Sequence, residues 1–180
     1  MSEFLVKDFI KGRCWSDVSL SEVHQFVNQS NEHVEKMLEL AISDVKDSSW
    51  RVAWLLGRSL DKSSEIIQKY NLKIIKSLKG KECGHQRELL KLIIDRNLSE
   101  EEEGRLFEIC LNIWKDVHKK SGTRFYAFNY IHKIVTKHPE LQNELVGLFD
   151  MNYLETLSPG IQKGIQKKNL HISVKVFSGQ

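Results

Sequence analysis

Three arginines recur along this chain at intervals of 36 and 37 residues: Arg51, Arg87 and Arg124. Each lies near the start of an apolar helical run: Trp50-Arg51-Val52-Ala53-Trp54, Gln86-Arg87-Glu88-Leu89-Leu90 and Thr123-Arg124-Phe125-Tyr126-Ala127. In all three the second and third residues after the arginine are apolar or aromatic. Lys163, in Gly160-Ile161-Gln162-Lys163, stands near the place of a fourth. A period in the high thirties is the length of one helical hairpin, and a hairpin cannot bury its apolar face alone. Three or more must therefore stack side by side to close a core.

The helices are legible from spacing. Val34, Met37, Leu38, Ala41, Ile42 and Val45 fall on one helix face, as do Leu106, Phe107, Ile109, Cys110, Ile113, Trp114 and Val117. Phe125, Phe128, Ile131 and Val135 form a third such stripe. Ser19 with Glu22, and Ser99 with Glu102, have capping-box spacing, in which hydroxyl and carboxylate satisfy exposed backbone N–H groups. Pro139 and Pro159 each suit the first turn of a helix, where a missing N–H costs nothing. The pattern predicts helices near 2–11, 19–29, 31–46, 49–60, 63–79, 84–96, 99–118, 122–137, 139–149 and 158–168, with no strand between 12 and 168. The fold class is all-α. The tail, 169–180, reads differently: Leu170, Ile172, Val174 and Val176 alternate with polar residues, which predicts a strand able to pair with another chain, or a frayed terminus.

With these residues the chain resembles the HEAT-like repeat proteins, armadillo-type α-solenoids whose second helices often begin Val-Arg-x-x-Ala. Arg124-Phe125-Tyr126-Ala127 keeps Arg-x-x-Ala, with Thr123 in place of the valine. Arg51 is followed by Ala53, one residue early, and Arg87 has Leu90 in the alanine position. The resemblance spans residues 31–168. It implies a right-handed α-α superhelix, a HEAT-like solenoid of about four to five antiparallel helix pairs, within a single domain over 1–168. Segments 1–30 and 151–180 are expected to cap the two ends. Trp50, Trp54, Phe107, Trp114, Phe125 and Phe128 offer large surfaces for burial, about 1.5–3 kcal/mol each when covered.

Composition sets limits rather than pointing to chemistry. Hydrophobic residues make up 41% and charged residues 28%, enough apolar surface for a real core. The net charge is +3, and the two halves carry 14 basic against 13 acidic and 13 against 11 side chains, so no basic domain stands out. No basic n-region with an apolar core opens the chain, and no run of about 18 apolar residues occurs. Cys14, Cys83 and Cys110, odd in number and widely spaced, read as reduced thiols. A cytoplasmic chain without a membrane partner is expected.

Sites for chemistry are scarce. Cys83-Gly84-His85 is a lone Cys-x-His with no second pair, and His132 and His138 do not share a helix face, so no metal site is expected. Gly-x-Ser-x-Gly, phosphate-binding glycine loops and His-Glu-x-x-His are missing, so neither catalytic residues nor a cofactor are implied. Glu100 to Glu103 suit the first turn of a helix, and Lys69, Lys73 and Lys76 suit the wet side of another.

Two roles are open for the recurring arginines. Structurally, each would pair with a carboxylate or a helix-terminal carbonyl in a neighbouring unit. Functionally, Arg51, Arg87 and Arg124, with Trp54, Lys119, Lys120 and Tyr126, would form an interaction surface recognising acidic groups through planar guanidinium forks. The leading expectation is a noncatalytic solenoid scaffold binding a protein or peptide. The alternative is a nucleic-acid binder with a basic concave face, because some HEAT-like bacterial solenoids are DNA glycosylases acting on alkylated bases. No catalytic aspartate of that kind matches a position here.

Overall fold

The structure is a computed structural model that describes residues 19–45, 48–60, 64–141, 148 and 151–177. In chain order its helices are α1 (Leu20–Val27), α2 (Asn31–Ile42), α3 (Ser49–Ser59), α4 (Glu65–Ser77), α5 (Cys83–Ile93), α6 (Glu100–Lys115) and α7 (Ser121–Lys137). A 3-10 turn at Pro139–Leu141, α8 (Met151–Leu154) and α9 (Pro159–Phe177) follow. No strand occurs among the described residues. The helix expected over 2–11 lies outside them, as does most of the one expected over 139–149.

Local signals set the helix starts. The Ser19 hydroxyl accepts from Glu22 N–H while Glu22 Oε2 accepts from Ser19 N–H, a complete capping box ahead of α1. Ser99 and Glu102 repeat the arrangement ahead of α6 at 3.3 and 2.9 Å. Gly80, at φ 79°, turns the chain after α4 through a conformation open to glycine.

The tail departs from expectation. Leu170, Ile172, Val174 and Val176 lie in α9, which runs to Phe177, and not in a strand. A strand needs a second strand for its backbone groups, whereas a helix closes its hydrogen bonds within the segment. Strand preference of β-branched residues is context-dependent and is overridden here.

The chain, expected as one domain, divides into two compact units, residues 1–106 and 107–180. In the first, α2 packs on α3 and α4 on α5, forming two helical hairpins. Corresponding helices of successive hairpins also touch: α2 meets α4, and α3 meets both α1 and α5. The core between them is largely apolar, with Met37, Leu38, Ala41, Val52, Leu55, Ile67, Ile74 and Leu89 all fully buried. Of the expected stripe of α2, Val34, Met37, Leu38 and Ala41 turn inward, while Ile42 is half-buried and Val45, beyond the helix end, is 38% exposed.

Helix C-terminal carbonyls have no partner within their own helix, and side chains from other segments take them. His85 Nε2 donates to Ala41 O at 2.7 Å. The buried Lys81 ammonium donates to Ser43 O at 2.7 Å and pairs with Asp44, placing positive charge at the negative end of α2. Asn28 Nδ2 donates to Ser59 O at 2.8 Å, and Gln86 Nε2 to Leu78 O at 2.8 Å. These polar bonds fix which turn of one helix meets which turn of the next.

In the second unit α7 packs against α9. Trp114, Phe128, Ile131 and Ile165 are fully buried there, and the Trp114 indole donates to Leu148 O at 2.6 Å. Of the six aromatics expected to be covered, only Trp114 and Phe128 are. Trp50 is 40% exposed, and Trp54, Phe107 and Phe125 are half-buried.

Candidate interaction surface

The three repeat arginines have three different environments. Arg124 is fully buried. Its Nε donates to Trp114 O at 3.0 Å, its two terminal nitrogens to Thr156 Oγ1 at 2.6 Å and Tyr153 O at 2.9 Å, and its guanidinium lies 4.8 Å from the Trp114 ring centroid. Burial lowers its pKa, opposed by the Asp116 and Tyr153 charges. Arg124 therefore corrects the expected surface: it has no area left to offer a partner and ties α7 to the end of α6 and to the α8 turn.

Arg87 is half-buried and pairs with Glu88, the adjacent residue of its own helix, at 2.8 Å, rather than with a neighbouring unit. Glu88 is only 2% exposed and also accepts from Lys91 at 3.0 Å, so one buried carboxylate holds two cations at the surface of α5. Arg51, half-buried, stacks its guanidinium 5.2 Å from the Trp50 centroid. Trp54 carries the Arg58 guanidinium 4.9 Å from its ring centroid.

The remaining expected residues belong to the second unit. Lys119 is half-buried, and Lys120 is exposed immediately before α7. Tyr126 is half-buried, edge-on to Phe125 at 6.0 Å. Lys69, Lys73 and Lys76 are all exposed, and Lys73 reaches Glu39 at 2.6 Å, which places that stripe on the wet side of α4. Among the described residues no three His, Cys, Asp or Glu side chains come together to hold a metal ion, and no helix is long and apolar enough to cross a membrane.

Trp50, Trp54, Gly57 and Arg58 follow i, i+4, i+7, i+8 spacing on the outer face of α3, and Arg87, Lys91 and Asp95 run i, i+4, i+8 along α5 and its C-terminal turn. Because α3 and α5 pack side by side, the aromatic and the basic stripe lie on neighbouring helices that meet at their C-terminal ends. At their C-terminal ends lies a cleft of about 110 Å³, lined by Leu56, Gly57, Arg58, Leu60, Lys91, Leu92, Asp95 and Arg96. Sequence reasoning missed Arg58, Lys91 and Arg96. The signal was present: Arg58 sits one turn beyond Trp54, and Lys91 one turn beyond Arg87.

A profile described as a HEAT repeat domain matches residues 13–171, most of the chain. The chain belongs to the HEAT repeat family. No curated protein and no solved structure gives a significant match. Membership accounts for the like-to-like contacts of α2 with α4 and of α3 with α5, which are those of stacked hairpins in an all-α solenoid. Within the first unit α3 and α5, the second helices of their hairpins, carry the aromatic and basic stripes.

Proposed function

We propose that this HEAT-repeat chain is a noncatalytic scaffold that binds a protein or peptide across the outer faces of α3 and α5. The observation that supports it is the aromatic surface: Trp50 is 40% exposed, Trp54 half-buried one turn away, and each carries a guanidinium over its ring. Tryptophan and arginine are the residue types that dominate binding energy where proteins meet, because a large flat ring and a planar fork lose little freedom on contact. Covering Trp50 removes apolar surface from water that folding itself leaves wet.

The test compares the wild-type chain with a Trp50→Ala, Trp54→Ala double variant as immobilised bait for a cell extract. A protein retained by the first and lost by the second, at matched melting temperature, supports the scaffold. Identical capture by both overturns it.

A further inference from the structure

We infer that the cleft at the C-terminal ends of α3 and α5 seats an acidic peptide segment of the partner, with its carboxylates against Arg58, Lys91 and Arg96. The inference deepens the scaffold reading and rests on it. Three cations and one acid, Asp95, line the cleft, and Glu88 beneath Lys91 brings the acids to two, so cations still outnumber acids there. Leu56, Leu60 and Leu92 contribute apolar lining, and Gly57 has no side chain, leaving the space beside Leu92 open. The occupant that matches this lining alternates acidic with apolar residues.

The local charges favour carboxylates over phosphates. Asp95 stands in the lining, and Glu88 already holds Lys91 at 3.0 Å from beneath. Both repel a doubly charged phosphate more than a singly charged carboxylate. Arg96 donates its Nε–H to Leu92 O at 3.2 Å, which fixes the plane of its fork at the rim. Size favours a peptide over nucleic acid. The cleft is lined by the last turn of α3, a span of about 6 Å, the reach of about two extended residues. A duplex presents a charge about every 1.7 Å and needs a longer cationic track.

The experiment measures binding of a short fluorescein-labelled peptide alternating Glu with Leu to the full chain by anisotropy. The same peptide with Gln for Glu, a single-stranded oligonucleotide and a duplex serve as competitors. The acidic peptide should bind about tenfold more tightly than its Gln counterpart, and more weakly as salt rises. Gly57→Leu should abolish binding without lowering the melting temperature. A Cβ there meets only Leu92 Cδ2, at 3.9 Å, and leucine favours the helix over glycine. Asp95→Asn should tighten binding roughly two- to fivefold, an outcome that misfolding cannot imitate.

Equal binding of the acidic and Gln peptides, no binding of either, preference for an oligonucleotide, or an unchanged affinity in Gly57→Leu each overturns the inference. Extract capture separates the two levels. A captured protein that depends on Trp50 and Trp54 but survives Arg58→Glu with Arg96→Glu sinks the acidic cleft and leaves the scaffold standing. Capture indifferent to all four substitutions removes both.

Discussion

Replacing Arg124 with methionine tests whether the repeat arginine of the second unit is part of the fold or of a binding surface. Methionine keeps much of the stem volume and removes the guanidinium with its three donated bonds. Tyr153 O keeps a partner, because Thr156 Oγ1 also donates to it at 3.1 Å, and the exposed Thr156 hydroxyl can turn to water. Trp114 O loses the donor it has from Arg124, and losing a hydrogen bond in which one partner is a buried charged group costs about 1.5–3 kcal/mol. The guanidinium stacked on the buried Trp114 ring is worth about 2 kcal/mol when desolvated. Relief of the guanidinium's own desolvation, visible in its lowered pKa, offsets part of that sum.

The net expectation for Arg124→Met is a loss of about 2–4 kcal/mol, or a melting temperature lower by roughly 5–15 °C for a chain of this size. Arg124→Lys should lose at least as much, since a point ammonium keeps the buried charge but cannot span three acceptors. Thermal and urea unfolding followed by circular dichroism would measure both. A melting temperature within about 2 °C of wild type, accompanied by loss of a bound partner, would refute the buried assignment and return Arg124 to the interaction surface.

Other consequences follow from titrating and buried groups. Burial lowers the pKa of His85 and of His33, so as pH falls the unfolded chain takes up protons before the folded one. Stability should be full above about pH 6.5 and decline below it, and His85→Gln should flatten that slope in melts from pH 8 to 5. The Lys81 hydrogen bond and charge hold Asp44 below the usual carboxylate range. Its stabilisation is present above about pH 4 and is lost as pH falls through the lower folded value, and Lys81→Met should remove that acid-side loss in melts below about pH 4. Burial, with the neighbouring Glu39, pushes the Tyr70 hydroxyl up to about 12. Absorbance at the phenolate band should show a step near there that Tyr70→Phe removes. Burial also pushes the Cys110 thiol up, so under native conditions a thiol reagent should label half-buried Cys83 well before Cys110.

Helix existence was legible because it is local. The stripe of Val34, Met37, Leu38 and Ala41, the paired serines and glutamates at 19/22 and 99/102, and the prolines at 139 and 159 all act within one or two turns. The stripe, the two serine–glutamate pairs and Pro159 appear where their spacing put them, while Pro139 opens a 3-10 turn rather than a described α-helix. The recurrence of arginines at hairpin length carried the HEAT relationship as well, since a hairpin's period is a property of the chain. Where local preference was weak it misled: the alternating residues of the tail suited a strand as a pattern, yet they form the last turns of α9.

The chain alone therefore determined an all-α stack of hairpins and which face of α2 turns inward. Only the tertiary structure decided what became of Arg51, Arg87 and Arg124, which share a repeat position but not a fate. Arg124 is buried because Trp114, Tyr153 and Thr156, distant in sequence, bring their oxygens to its fork. Arg87 stays near the surface over a buried carboxylate from its own helix, and Arg51 lies over an exposed ring. A helix needs only its own neighbours to form, but burying a charge needs acceptors from other segments. Those acceptors are placed by packing rather than by any spacing along the chain.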